Sequence, residues 1–319
     1  MLTILFVIPG SPEGNSMIFS KRQARQLEEA GHKVVVFYLQ ERGGIMDLVR
    51  QTKLVKAQIK QHNPDVVHAH YGTFTAMVVA LCRFKRTIIT YQGSDLNMLR
   101  SEPWLKEVVA KLFSQLASIQ AYKVICVSKK LRQKLIFARS KCSIIPMGVD
   151  LEQYYPIPMQ EARNQLRWTI DAKIILFNYN NAAVKRIDIA QQATALVQQQ
   201  MPDLQLHVLD GKVEYEKLLL MYNASNCLLM CSDSEGSPTM IKEAMACNLP
   251  VVSSDAGDIF ENIKATNPVA MCKQQAEDIA SGIIQVVNKN QRSNGREVVT
   301  SLQLDSHTLL QKLIYLYQS

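Results

Sequence analysis

Twice along this chain, short runs rich in β-branched and apolar residues alternate with longer stretches whose apolar positions recur at helical spacing. That double alternation leaves few folds open. The first series has strand candidates at Thr3–Ile8, Lys33–Tyr38, Asp65–His70, Thr87–Tyr91, Lys123–Val127 and Cys142–Ile145. Helical patterns lie between them at Ser16–Ala30, Ile45–Gln61, Phe74–Arg83, Trp104–Gln120 and Lys129–Ala138. Strands that are apolar throughout are covered on both faces, which implies a parallel sheet flanked by helices. At Tyr154-Tyr155-Pro156-Ile157-Pro158 two prolines break the series, and the stretch reads as a linker. The series then restarts with strands at Lys173–Phe177, Leu204–Leu209, Asn226–Cys231 and Pro250–Ser254. Helices are expected at Ile187–Gln200, Tyr215–Asn223 and Pro238–Cys247, followed by a helical tail. The expected fold is α/β, with two tandem Rossmann-like doubly wound domains and an interdomain cleft. The domains would cover residues 1–153 and 154–303, with a helix at 304–319 packing back toward the first.

A length of 319 residues exceeds what one hydrophobic core usually serves, in agreement with two domains. The charge is unevenly divided. Residues 1–150 carry 22 Lys and Arg against 10 Asp and Glu, a net of +12, whereas the rest of the chain is net −4. The first half is therefore expected to meet something anionic, or to carry a solvated basic face. No aromatic-interleaved basic motif points to nucleic acid, so the expected partner is an anionic membrane surface or a phosphate-bearing acceptor. Within Trp104–Gln120, Leu105, Val108, Val109, Leu112, Phe113 and Leu116 form a stripe that reads first as a core face and second as a membrane face. Arg100, Lys106 and Lys111 lie close to it. The N-terminus lacks the basic start of a secretory signal, and no apolar run is long enough to span a bilayer. Seven scattered cysteines without a CxxC pair read as small apolar residues of a reduced protein. The expectation is a cytoplasmic chain, peripheral on the inner face of the membrane.

The most informative segment is Ser232 to Val252. A buried strand runs into the polar loop Ser232-Asp233-Ser234-Glu235-Gly236, and a helix then starts at Ser237-Pro238-Thr239. Ser237 suits an N-cap, Pro238 the first helical position, and Asn248 a left-handed stop. The helix N-terminus offers N–H groups and a positive dipole end to phosphate. Glu235 lies just before it. Glu243 lies inside the helix with its side chain leaning back toward the same end, so two carboxylates flank a phosphate site and suit sugar hydroxyls.

This string closely resembles the EGxPxxxxEA element of the retaining, family 4 glycosyltransferases, which have the two-Rossmann-domain GT-B architecture. The resemblance implies that Glu243 binds the donor ribose, that Glu235 contacts the transferred sugar, and that Gly236, Ser237, Pro238 and Thr239 face the donor. Further positions agree in order along the chain. Gly14 and Asn15 stand where the family has two glycines beside the donor phosphate. Pro64 to His70 resembles its third strand, with His70 at the carboxyl end facing the cleft, and Pro146-Met147-Gly148-Val149-Asp150 resembles its pre-linker turn. His32, in the Gly-His-x-Val turn, reads as structural. Lys185 matches the family lysine that neutralises the donor diphosphate. The family's preceding arginine has no counterpart, and Arg186 is the candidate substitute. Thr90-Tyr91-Gln92-Gly93-Ser94-Asp95 resembles the family's T-x-H-G-x-D. Gln92 therefore replaces a histidine that positions the sugar, and Asp95 stays on the acceptor side.

The resemblance implies a metal-independent hexosyltransferase. It would retain anomeric configuration while moving a sugar from a nucleotide sugar to a sugar or lipid-linked acceptor. Such a reaction serves glycan, lipopolysaccharide or glycolipid assembly. No cofactor is expected beyond the nucleotide-sugar substrate, and no cluster has metal-ligand spacing. The alternative is a non-catalytic relative that keeps the fold. A dinucleotide-dependent oxidoreductase is disfavoured, because the first loop, Pro9-Gly10-Ser11-Pro12-Glu13-Gly14, lacks GxGxxG.

Overall fold

The computed structural model describes residues 1–14, 16–39, 44–97, 104–179, 182–211 and 213–319. Asn15 and Arg100 lie outside the described residues, as does the side chain of Lys106. The chain divides into two compact units, Met1–Pro146 with Leu310–Ser319, and Met147–Leu309.

In the first unit the order is β1 (Thr3–Pro9), α1 (Ile18–Glu29), β2 (Lys33–Leu39), α2 (Ile45–His62), β3 (Val66–His70) and α3 (Thr73–Leu81). It continues with β4 (Thr87–Tyr91), α4 (Trp104–Gln120), β5 (Lys123–Cys126), α5 (Lys129–Gln133) and β6 (Cys142–Ile144). All six strands are parallel, in the order β2-β1-β3-β4-β5-β6. β1 and β3 are buried along nearly their whole length, as expected for strands covered on both faces. His32 is structural, accepting a hydrogen bond from the Leu2 amide at its Nδ1 over 3.1 Å.

The second unit runs α6 (Met159–Leu166), β7 (Lys173–Asn178), α7 (Ala182–Lys185), α8 (Ile187–Gln198), β8 (Leu204–Leu209), α9 (Tyr215–Ala224) and β9 (Cys227–Met230). It continues with α10 (Thr239–Ala246), β10 (Val251–Ser254), α11 (Ile259–Ile263), β11 (Val269–Cys272), α12 (Ala276–Asn288) and α13 (Gly295–Ser301). α14 (Ser306–Gln318) then carries the chain back into the first unit. Its five strands are again parallel, in the order β11-β10-β9-β7-β8.

Three expectations need correction. The tail after β10 is not wholly helical, since it holds the edge strand β11. The break between units falls at Pro146, and the proline-rich stretch belongs to the second unit: Tyr154 is buried there against Tyr215 and Tyr222. The apolar stripe of α4 does not face the core. Trp104, Leu105, Val108, Val109, Leu112 and Leu116 are exposed, while Glu107, Ser114, Gln115 and Ser118 are buried.

Both sheets contain a switch point, where successive connections leave in opposite directions and open a crevice at the carboxyl ends of the strands. In the first unit it lies between β1 and β3, and in the second between β7 and β9.

Candidate donor site and its counterpart

In the second unit the chain leaving β7 and the chain leaving β9 are tied together, with the Asp233 amide donating to the Val184 carbonyl over 2.9 Å. This tie brings Lys185 and Glu235, fifty residues apart, into a direct hydrogen-bonded ion pair, both side chains largely screened from solvent. Glu235 sits immediately before the loop that enters α10. Pro238 caps that helix with extended backbone, so the helix begins at Thr239, one position later than the sequence suggests.

Ser237 does not cap α10. Its hydroxyl donates to Asp258 Oδ2 over 2.6 Å and accepts from the Lys242 ammonium. Lys242 is 0% exposed and stands 3.9 Å from the Asp258 carboxylate. Burial lowers its pKa, while the negative charges of Asp258 and Glu243 act in the opposite direction. The loop after β10 is drawn against the loop entering α10 at Gly257. There φ is +60°, and a Cβ would meet the Gly236 carbonyl oxygen at 2.7 Å. Only glycine permits both the left-handed backbone and the approach.

Glu243 is buried on α10 and accepts a 2.8 Å hydrogen bond from the Tyr222 hydroxyl, itself fully buried in the core. Burial, then the neighbouring Glu243 charge, holds the Tyr222 pKa well above its usual value, so it remains a donor. Asn248 ends the helix with φ +56°, as its position suggests.

Arg186 departs from expectation. It forms a bidentate pair with Asp188, at 2.9 and 2.7 Å, and reaches Asp233 at 3.2 Å. The hydrogen bond to Asp188 is the first cause of its raised pKa. Its charge is balanced by the chain's own carboxylates, which satisfies a cation at the start of α8 without an external anion. As a substitute for the missing diphosphate arginine it is therefore poorly placed.

The first unit holds its predicted residues differently. Gly14 is exposed, and its carbonyl joins those of Pro12 and Glu13 around the Lys21 ammonium at 3.0 to 3.3 Å. His70 does not open into a crevice, because it is fully buried against Phe6 and His68. Neither of its ring nitrogens has a hydrogen-bond partner among the described residues. Burial brings its pKa to about 3, which leaves a neutral ring at pH 7. Asp95 is also fully buried. Its oxygens accept from the amides of Gly72 (2.9 Å), Gln92 (2.9 Å) and Gly93 (2.8 Å), so it shapes the loop after β4 rather than meeting an acceptor. Gln92 is half-buried and donates from Nε2 to the Ser20 hydroxyl over 3.2 Å.

The structure thus brings together Lys185 and Glu235, keeps Glu243 and Thr239 on one helix, pairs the partly exposed Arg186 with Asp188 and Asp233, and buries His70 and Asp95. The sequence reading missed Lys242, Asp258, Tyr222 and Gly257. The signal for Gly257 and Asp258 was Asp255-Ala256-Gly257-Asp258 directly after a strand, where loops of this fold meet ligands. Lys242 carried no signal beyond standing beside Glu243.

Comparison with known proteins bears on the family and the fold. Residues 18–153 match the model of Glycosyltransferase Family 4, and residues 209–297 match that of Glycosyl transferases group 1. The chain is similar to an uncharacterized glycosyltransferase of Methanocaldococcus jannaschii, at 25% identity over 85% of this chain and 81% of the relative. Its fold is similar to that of a sucrose-phosphate synthase from Thermosynechococcus elongatus, with TM-score 0.80, 18% identity, and 99% and 98% of the two chains covered. It also resembles the Anabaena protein HepE in complex with UDP-glucose, with TM-score 0.70, 16% identity and 99% of each chain covered.

Proposed function

We propose, from the premise that the chain is a glycosyltransferase of the GT-B type, that its second unit binds a nucleoside-diphosphate hexose and transfers the sugar with retention to an acceptor hydroxyl. The observation that carries this reading is the Lys185–Glu235 pair beside the N-terminus of α10. A cation and a carboxylate share one crevice with a row of backbone N–H groups, which suits an anionic diphosphate joined to a hydroxyl-rich sugar.

On this reading Lys185 exchanges Glu235 for the diphosphate when the donor binds, and Glu235 turns to sugar hydroxyls. Glu243, held by Tyr222, meets the ribose. The bond between the anomeric carbon and the diphosphate oxygen breaks, and its electron pair leaves with the nucleoside diphosphate. The acceptor oxygen attacks from the same face, and its proton passes to the departing phosphate oxygen. Lys185 and the α10 amides carry the countercharge, so this chemistry needs no metal ion. UDP-glucose is the first donor to test, because the Anabaena protein of similar fold was obtained in complex with it.

The test is nucleotide release from a panel of nucleotide sugars with candidate acceptors, with and without Lys185→Ala. We expect turnover to fall by about 10²–10³ in a variant that still folds, with some loss of thermal stability because Glu235 is left without its ammonium partner. Near-wild-type turnover in the variant would remove Lys185 from the mechanism.

A further inference from the structure

α4 is turned the opposite way from an ordinary surface helix. Its inward side carries Glu107, Ser114, Gln115 and Ser118, and its outward side carries Trp104 (68% exposed), Leu105 (60%), Val108, Val109, Leu112, Leu116 and Ile119. The orientation is fixed, because the buried polar groups are individually satisfied. The Ser114 hydroxyl accepts from the Thr73 amide over 2.8 Å and donates to the Asp95 carbonyl over 2.9 Å. Gln115 donates to the Lys134 carbonyl and accepts from the Ile136 amide, each over 2.9 Å. Ser118 donates to the Gln115 carbonyl. Rotating the helix to bury its apolar side would strand all of these groups, a larger loss than the exposure it removes. Ile136 (70% exposed), whose amide donates to Gln115 of α4, and Phe137 add further exposed apolar surface.

Cations stand in the segment after β5, which hydrogen-bonds to α4 through Gln115 and Ile119. Lys134 donates to Asn97 Oδ1 over 2.6 Å, Lys141 to the Ile119 carbonyl over 2.8 Å, and Arg139 to the Gln133 carbonyl over 2.6 Å. Amide oxygens satisfy these donors without cancelling their charge. In the same segment a depression of about 320 Å³ gathers Lys129, Arg132 and Arg139.

We infer that the outward face of α4, with Ile136 and Phe137, docks the first unit onto the surface of an anionic bilayer. The apolar side chains enter the boundary below the headgroups, Trp104 sits at the interface, and the surrounding cations meet lipid phosphates. A second copy of this chain fits less well, since it would bring one strongly basic surface against another. No helix among the described residues is long and apolar enough to cross a membrane. The attachment is therefore peripheral. It is also of mixed character: salt weakens the ionic part and leaves the inserted part. The inference concerns the acceptor-side unit and stands apart from the donor reading.

The test is flotation of the full chain with phosphatidylcholine vesicles, with and without phosphatidylglycerol, at low and high salt. It compares wild type with the exposed-face variant Val108→Ser/Leu112→Ser/Leu116→Ser. We expect wild type to float with the anionic vesicles and to stay partly bound at high salt, and the variant to lose at least about tenfold in partitioning. In a Trp168→Phe background, Trp104 emission should shift to shorter wavelength when anionic vesicles are added. The thermal shift produced by UDP-glucose should be the same in wild type and variant, so failure of docking is distinguishable from failure of the donor reading. Absence of flotation, equal flotation of the variant, or unshifted Trp104 emission would overturn the inference. So would concentration-dependent dimerisation that the variant abolishes, since a second copy would then be the occupant.

Discussion

In the second unit, the segments after β7, β9 and β10 carry Lys185, Glu235 and Asp258, and α10 carries Lys242, paired with Asp258, and Glu243. The first unit has the same kind of switch point, yet its strand ends carry neutral imidazoles, a carboxylate saturated by backbone amides, and a glutamine. The same topology is thus used for fixed charge in one unit and for fixed shape in the other. Charge suits a ligand that is itself charged, and shape suits one recognised by hydroxyls and fit. A charged ligand needs particular side chains, whereas a shaped loop can be built from backbone.

The largest expected effect tests whether the second unit depends on its buried charge. Lys242→Met leaves Asp258 with its Ser237 contact but without its ammonium. It should cost about 3–5 kcal/mol of stability, the usual result of removing one member of a buried pair. Lys242→Met/Asp258→Asn should recover much of that loss in denaturant unfolding. If the single variant is as stable as wild type, the pair contributes little and the contrast between the units weakens.

A smaller effect tests whether the first unit depends on neutrality. His70 is uncharged when folded, with its pKa lowered from 6.5 to about 3 by burial. The unfolded chain takes up a proton below pH 6.5 and the folded one does not. Stability is therefore complete above pH 6.5 and falls as the pH drops from 6.5 toward 3, by up to about 1.4 kcal/mol per pH unit for this residue. His68, lowered first by burial and then by His70, acts in the same direction. His70→Phe should flatten the acid side of the stability profile. An unchanged profile would show that the stacked pair does not govern it.

The smallest effect concerns Gln92. Gln92→Ala removes one hydrogen bond, worth about 0.5–1.5 kcal/mol, so kcat should fall only several-fold with donor affinity unchanged. A loss as large as that of Lys185→Ala would give the first unit a chemical part in catalysis and break the contrast.

Much of this was legible in the sequence. Non-alternating apolar runs showed the parallel strands, and the Glu-Gly-Ser-Pro string marked the loop that enters α10 and carries Glu235. What escaped shares one physical cause: it depends on what arrives from far along the chain. Lys242 looks like an exposed lysine until Asp258 and Ser237 close over it. β11 is four residues long and only half-buried, too short for periodicity to detect. α6 is a short, mostly polar helix whose Arg163 is buried by donating to the Ala224 carbonyl, over sixty residues away. In α4 the spacing correctly showed that one face is apolar. It could not say which way that face points, because the sign was set by hydrogen bonds to Thr73, Asp95, Lys134 and Ile136.

The return of Leu310–Ser319 to the first unit orders events during synthesis. His68 shares its Nδ1 with the Tyr317 hydroxyl over 2.6 Å, and the Tyr122 hydroxyl donates to the Ser319 carbonyl over 2.9 Å. Both partners leave the ribosome only after the whole second unit has been translated. Until then the first sheet waits with a polar ring open on its inner face, and a nascent chain stalled before Leu310 cannot complete it. The second unit has no such wait and can close as soon as its own strands emerge. The half of the molecule made first is thus finished last.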